Sequence, residues 1–150
     1  MIKNRTEPEI PLGQLLLGAF RWFDRSLLAT LEARGWPGLT QSQSNLMANL
    51  GEKGIRLSEL ARRIGVTRQA IHNTVKELEA LGLVNPVVDP TNLSAKLVVL
   101  TPQGRENVKA ALKAFQDIEA SLESRLGPET VQALRHALER DWGDPIVIAD

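Results

Sequence analysis

The chain has 150 residues, with 18 basic and 18 acidic side chains, a formal net charge of +0 and no cysteine. This length predicts one domain that can bury a core, and the lack of cysteine excludes disulfides, thiolate metal sites, a cysteine nucleophile and thiol-based redox sensing. The histidines, His72 and His136, stand far apart without a carboxylate cluster, so we expect neither a bound metal nor a cofactor.

The N-terminal residues give no sign of export or of membrane insertion. No apolar run approaches the ~20 residues that a transmembrane helix needs, and the start MIKNRTEPEI lacks the apolar core of a signal peptide. We therefore expect a cytoplasmic protein with no membrane partner, and a frayed tail over residues 1 to 8.

Residues 9 to 34 predict a long helix that is apolar over a wide arc. Pro11 fits only its first turn. A stripe of apolar side chains at spacings of three and four is widened by further ones, the whole set being Leu12, Leu15, Leu16, Phe20, Trp22, Phe23, Leu27, Leu28 and Leu31. Such a helix needs two surfaces to cover it, one from its own domain and one from elsewhere. The simplest second surface is another copy of the chain, so we expect a homodimer.

A second helix is predicted in QSQSNLMANLGEKG, after a break that contains glycine and proline. Thr40 is its expected N-cap, and Gly51 or Gly54 is its expected end.

The stretch LSELARRIGVTRQAIHNTVKELEALGLV, residues 57 to 84, predicts two short helices around a tight turn. In the first helix, apolar side chains at helical spacing form one face and leave Arg62 and Arg63 outside it. Gly65 supplies the break, and Thr67 can cap the second helix because its hydroxyl can accept from a free amide of the first turn. This is the helix-turn-helix pattern, whose second helix can lie in the DNA major groove.

The outer face of that second helix carries side chains that can reach base edges or phosphates, namely Arg68, Gln69, His72, Asn73 and Lys76. Residues 52 to 76 hold six Lys or Arg against two acids, a local charge of +4, whereas residues 117 to 150 hold eight acids against three Arg, a charge of −5. The neutral total therefore hides a basic region that suits a polyanion. The alternative is a solvated helix pair that is basic without binding DNA.

Two β-branched, apolar runs, Val84 to Val88 and Lys96 to Leu100, predict a β-hairpin because turn residues separate them. Thr101 and Pro102 then open a long helix, which ends at Gly127.

A last helix is predicted from about Glu129 to Arg140. For the ending DPIVIAD the pattern predicts no element.

With LSELARRIGVTRQAIHNTVKELEALGLV and the LTPQG that follows the hairpin, the chain resembles the MarR family of bacterial transcription regulators over nearly its whole length. The resemblance implies a mainly α fold with a small β-hairpin wing. It implies a single domain over 1–150, a winged helix-turn-helix lobe at 52–101, and a helical dimerisation region at 9–35 and 102–142. In that family the lobe binds double-stranded operator DNA, and the first and last helices of two subunits interlock.

The family's wing commonly carries an Arg two residues after Gly-Leu-Val, and an Asp-Arg-Arg-like run after Asp-Pro. Here Pro86 stands at the first of these positions and Asn92-Leu93-Ser94 occupies the run. Lys96 is the nearby cation that remains, so the wing contact differs from the family pattern.

Many relatives bind small aromatic or phenolic ligands in a cleft between the dimer helices and the DNA lobe, which weakens DNA binding. The resemblance implies that Trp22, Phe23 and Trp36 border such a cleft, although aromatic side chains at helical spacing are also typical of core or dimer contacts.

Our leading hypothesis is a homodimeric transcription regulator, a repressor. Its base-reading side chains are those of the second helix, with Arg68 reading guanine and Gln69 or Asn73 reading adenine. Thr67 and Arg62 or Arg63 are expected to hold phosphates. The second hypothesis is a winged-helix module that binds protein, and an enzyme is the least expected class, since no phosphate loop, nucleophile elbow or carboxylate–histidine cluster is present.

Overall fold

The computed structural model describes residues 9–149, and the predicted tail over residues 1 to 8 lies outside them. The elements, in chain order, are α1 (Leu12–Ala33), α2 (Gln41–Asn49), β1 (Ile55–Arg56), α3 (Leu57–Ile64), α4 (Arg68–Ala80), β2 (Val84–Asp89), β3 (Asn92–Leu100), α5 (Pro102–Leu126) and α6 (Pro128–Glu139). The predicted fold class, mainly α with a small wing and a helix-turn-helix, is confirmed.

The chain divides into two compact units, Met1–Phe115 and Gln116–Asp150. The first unit holds the helix-turn-helix and the sheet, and the second holds the end of α5 together with α6. Within residues 9–149, no helix has both the length and the apolar character that a bilayer crossing requires.

The first two helices begin and end close to the predicted bounds. Pro11 precedes α1 as its N-cap residue and does not lie inside the first turn. Thr40 caps α2 as predicted, and Gln43 completes a capping box, since Thr40 Oγ1 accepts from Gln43 N at 3.2 Å and Gln43 Oε1 accepts from Thr40 N at 2.9 Å. The end of α2 was predicted too late, because Leu50 already adopts an extended backbone before either glycine.

The helix-turn-helix is built around one apolar core. Gly65 ends α3 with φ of 76°, a left-handed conformation that favours glycine, and Thr67 Oγ1 accepts from the amide of Ala70 at 3.1 Å to cap α4. The core buries side chains from both helices, from the turn after α4 and from the sheet, among them Leu60, Ala61, Ile71, Val75, Leu78, Leu83, Val84 and Val98. Both predicted turn residues therefore take the roles that their chemistry indicated.

The wing is a three-stranded antiparallel sheet with the order β1-β3-β2, and not a two-stranded hairpin. Ile55 pairs with Val98, and Arg56 with Leu97. The strands β2 and β3 extend to the pair Asp89–Asn92, so the turn is tighter than predicted. A strand of two residues leaves no alternating pattern, and β1 was missed for that reason.

The start of α5 is tied to the end of the helix-turn-helix. Thr101 Oγ1 accepts from Gly104 N at 2.9 Å and donates to the carbonyl of Gly82 at 2.6 Å. Gly104 is needed here because a Cβ would lie 1.9 Å from the carbonyl oxygen of Leu83. The predicted Thr cap is therefore also a tertiary contact.

In the second unit, α6 begins with Pro128 and buries Val131, and Arg135 Nη2 donates to Glu119 Oε2 at 2.6 Å. Residues 143–149 form no helix or strand.

An ion pair between a buried carboxylate and a half-exposed arginine fixes the turn of the wing. Arg56 Nε donates to Asp89 Oδ2 at 2.7 Å, and Arg56 Nη2 reaches Thr91 Oγ1 at 3.4 Å. Asp89 Oδ1 accepts from the hydroxyl of Thr91 at 2.7 Å and from its amide at 2.8 Å. These bonds from Thr91, together with the bond from Arg56, lower the pKa of Asp89 to about 2. The carboxylate, 2% exposed, therefore stays charged and holds β1 to the turn.

We predict that Asp89→Asn destabilises the fold in a pH-dependent way. The folded-state pKa of Asp89 lies below its ordinary value of 3.8, so the stability that its charge contributes is complete above about pH 4 and is lost as the pH falls toward about 2. Urea unfolding at a series of pH values should show a difference between wild type and variant that is largest near neutrality and shrinks in that window.

The matched control is Glu52→Gln, which removes an exposed carboxylate and should leave the unfolding free energy nearly unchanged at every pH. A wild-type–variant difference for Asp89→Asn that stays constant through the acidic window would contradict the prediction.

Candidate nucleic-acid interface

The structure brings together the five polar side chains predicted on the second helix of the helix-turn-helix. All five are exposed along α4, namely Arg68, Gln69, His72, Asn73 and Lys76. They share this face because Ile71, Val75 and Leu78, one helical turn apart, are buried on the other side. Gln69 Nε2 donates to Asn73 Oδ1 at 3.0 Å, which fixes the two amides as a pair. The result is a polar helix face with donors and acceptors suited to base edges.

Thr67 lies at the N-terminal end of this face. Its hydroxyl oxygen accepts from the amide of Ala70, and a hydroxyl can donate its own hydrogen at the same time. A phosphate oxygen beside the helix N-terminus would accept that hydrogen and would also be favoured by the helix dipole.

On α3, Arg62 and Arg63 are exposed and share one carboxylate, that of Glu59. Glu59 Oε1 accepts from Arg62 Nη2 at 2.7 Å and from Arg63 Nε at 2.9 Å, and Oε2 accepts from Arg62 Nε at 2.9 Å. The hydrogen bonds from Arg62, and next those from Arg63, lower the pKa of Glu59 to about 2, and the pKa of Arg62 is raised in turn. Each guanidinium keeps further N–H donors, so both arginines are oriented but can still donate to a phosphate.

The wing exposes apolar side chains beside its polar ones. Val88 is exposed, and Leu93 near the tip is 82% exposed. Lys96, the nearby cation that the sequence comparison left in the wing, is exposed on β3.

A second cation reaches the wing from outside it. Arg56 comes from β1 and is held at the turn by Asp89, yet its side chain remains 45% exposed. The sequence does not indicate Arg56 as a wing residue, because it lies 33 positions from Asp89 and its strand is too short to predict. The signal that could have found it is Asp89, a carboxylate in the wing turn without a neighbouring cation in the sequence.

A cavity of about 650 Å³ lies beside α4, within the first unit. Its walls come from α1, α2, the helix-turn-helix and α5. Of the three aromatic residues predicted at a ligand cleft, Phe23 lines this cavity, whereas Trp22 and Trp36 are not among the residues that line it. Trp22 instead meets Phe23 edge-on, with ring centroids 5.1 Å apart.

One side-chain hydrogen bond links a wall of the cavity to α4. Gln43 of α2 is buried, and its Nε2 donates to Glu77 Oε2 at 2.9 Å. Its neighbours Ser42 and Ser44 line the cavity.

The central part of the chain is similar in sequence to known transcription regulators. A model of the MarR family matches residues 38–92, which span α2, the helix-turn-helix and the start of the wing. The HTH-type transcriptional regulator TcaR of Staphylococcus aureus is 29% identical over 105 residues, covering 67% of this chain and 68% of TcaR.

Solved structures show the same fold. The reduced form of MarR from E. coli superposes with a TM-score of 0.76 at 24% identity, over 89% of this chain and 97% of that one. A mutant of MepR from S. aureus, bound to an oligodeoxyribonucleotide, superposes with a TM-score of 0.61 at 22% identity, over 87% and 94% of the two chains. The chain therefore has the winged helix-turn-helix fold of these structures, and over residues 38–92 it matches the MarR family, as the resemblance implied.

Proposed function

We propose that this protein is a sequence-specific DNA-binding transcription regulator that acts as a homodimer and represses transcription from the operators it occupies. The observation that carries the proposal is the exposed polar face of α4 on a buried apolar base. The oligonucleotide bound to the MepR mutant supports the same role for this fold.

The candidate DNA-binding side chains divide into two kinds of contact. Arg68, at the first position of the helix, is suited to guanine, which presents two acceptors to a guanidinium. The paired amides of Gln69 and Asn73 are suited to adenine. Thr67, Arg62 and the other exposed cations would bind phosphates, which position the protein without reading sequence.

The dimer is supported by apolar surface that each unit leaves exposed. In the first unit, α1 exposes Leu12, Leu15, Leu17, Phe20 and Trp22. In the second unit, the exposed apolar residues of α6 and the tail are Leu134, Leu138, Trp142, Ile146, Val147 and Ile148. Surfaces of this kind are costly in water and are typical of subunit interfaces.

The wing contact would rest on Arg56 and not on the hairpin tip. Its Nε is occupied by Asp89, but within the described residues its Nη1 has no hydrogen-bond partner. A narrow minor groove attracts such a cation. Lys96 would add a second, more mobile charge.

The cavity is the proposed effector site. A ligand there would displace α2, which lines the cavity. Because Gln43 of α2 donates a hydrogen bond to Glu77 of α4, such a displacement would be transmitted to α4. A shift of α4 by a fraction of a helical turn would move its base-reading side chains out of register, so ligand binding would release the DNA.

The exposed apolar wing favours a second candidate, a module that binds protein through this surface. Val88 and Leu93 are the residues on which that alternative depends. It predicts no sequence preference for DNA, and the experiment on α4 separates the two.

We predict that Arg68→Ala weakens binding to the preferred DNA by about 1 to 3 kcal/mol and relaxes the preference at one base pair. Arg62→Ala should instead weaken binding to all sequences alike, because a phosphate carries no sequence information. Fluorescence anisotropy on duplexes with single base changes measures both effects. Arg125→Ala, which removes an exposed arginine at the end of α5, is the control. If Arg68→Ala, Asn73→Ala and Lys76→Ala together left the affinity unchanged, the protein-binding alternative would replace the DNA hypothesis.

We predict that the protein sediments as a dimer at micromolar concentration and that Leu15→Glu shifts it to monomer, since the substitution places a charge on the exposed apolar side of α1. Gln14→Glu adds the same charge at the neighbouring polar position and should leave the dimer intact. A folded monomer of the wild-type chain would contradict the prediction, and with it the expectation of half-sites ~10 bp apart.

We predict that Arg56→Gln makes the salt dependence of DNA binding shallower by about two units of log K per log salt, since each phosphate neutralised contributes about −0.9 and a dimer has two wings. Ser94→Arg, which restores the family's cation, should steepen the slope by a similar amount.

Asp89→Asn is the control for this test, because it loosens the wing but keeps the cation, and it should largely preserve the salt slope. If Arg56→Gln lowers only the thermal stability and leaves the slope unchanged, Arg56 is a structural residue and the wing does not use it on DNA.

A further inference from the structure

We infer that the cavity beside α4 takes a lipophilic cation that carries a hydrogen-bond acceptor. This inference deepens the effector part of the proposed function, because it names the chemical class of the ligand. It rests on that function only for the regulatory consequence of binding.

The apolar walls and the volume of the cavity determine the kind of apolar group that a ligand should carry. Phe20, Phe23, Leu27 and Phe115 contribute rings and a branched side chain, and the volume of about 650 Å³ suits a molecule of drug size. Ring faces also attract cations.

The charge of the cavity wall determines which sign of charge a ligand should carry. Asp24 is the one charged side chain among the described residues that line the cavity, which include no Lys, Arg or His. Asp24 is half-buried and makes no hydrogen bond or ion pair to another described residue. A carboxylate that is partly removed from water gains from a cation and is destabilised by an anion. An anionic ligand would have no counter-charge here.

One polar side chain of the wall carries a buried donor without an acceptor. Asn107 of α5 lines the cavity and is 2% exposed, and its Nδ2 has no hydrogen-bond partner in the described chain. A buried N–H without a partner is unfavourable, so nearly all such groups in folded proteins are paired. A carbonyl oxygen on the ligand would supply the missing acceptor and fix its orientation.

The test uses three probes that share one scaffold and differ in charge. Each is a naphthalene carboxamide, whose carbonyl can accept from Asn107, and the amide nitrogen carries an aminoethyl group (cation), a hydroxyethyl group (neutral) or a carboxymethyl group (anion). Isothermal titration calorimetry on the protein alone should rank the affinities cation, neutral, anion. Equal or tighter binding of the anion, or no binding of the cation at millimolar concentration, would overturn the inference.

Two substitutions assign the effect to residues. Asp24→Asn should weaken the cation about tenfold and leave the neutral probe unchanged, whereas Asn107→Leu should weaken cation and neutral probe alike by about fivefold. Glu32→Gln removes an exposed acid of α1 outside the cavity and should change neither. If Asp24→Asn weakens the cation and the neutral probe equally, Asp24 does not select for charge and the inference fails.

These measurements need no DNA, so their outcome is separate from that of the proposed function. Cation binding by a protein that proves not to bind DNA would uphold the ligand class and remove the regulator. DNA binding together with a preference for the anion would uphold the regulator and overturn the ligand class.

Discussion

The structure depends on the requirement that α4 be buried on one side and exposed on the other. Ile71, Val75 and Leu78 are 2%, 3% and 0% exposed, and each such side chain contributes about 1.5 to 3 kcal/mol by leaving water. Because these residues are fixed at helical spacing, the polar residues between them have to face solvent. The core therefore determines where the proposed DNA-binding face lies, and the surface residues determine only what that face can bind.

The contacts around α4 extend this constraint to the rest of the first unit. Thr67 caps the start of α4, and Gln43 donates a hydrogen bond to Glu77 within it. Just after its end, Thr101 donates a hydrogen bond to the carbonyl of Gly82. The helix is thus held at three points, by the turn that precedes it, by the start of α5 and by α2, which also contributes to the wall of the cavity. A helix so tied cannot move alone, which is the physical basis for proposing that a ligand in the cavity affects the DNA contact.

The sequence predicted the parts of the fold that depend on local chemistry. Gly65 and Thr67 had their turn and cap roles, and the α4 residues lie on one face, because helical spacing and capping need only neighbours along the chain. The missed features depend on distant residues. The strand β1 has two residues and exists through its pairing with β3. Arg56 reaches the wing turn through that pairing, and no pattern within the wing indicates it.

The residues that line the cavity were harder to predict from the sequence than the fold was. Its wall is assembled from several elements, and the aromatic pattern of α1 did not distinguish Phe23, which lines it, from Trp22, which does not. Helical spacing places both residues near one arc, and only the packing of α2 and α5 decides which of them reaches the cavity. Asp24 and Asn107, on which its chemistry depends, carry no motif.

The central claim is that the exposed face of α4 selects particular DNA sequences. Its most direct test is repeated selection from a pool of random double-stranded DNA by the wild-type protein in the presence of non-specific competitor. The account predicts an enriched, two-fold symmetric sequence whose half-sites lie ~10 bp apart and hold a guanine where Arg68 contacts the groove. A folded dimer that enriches no sequence would contradict it.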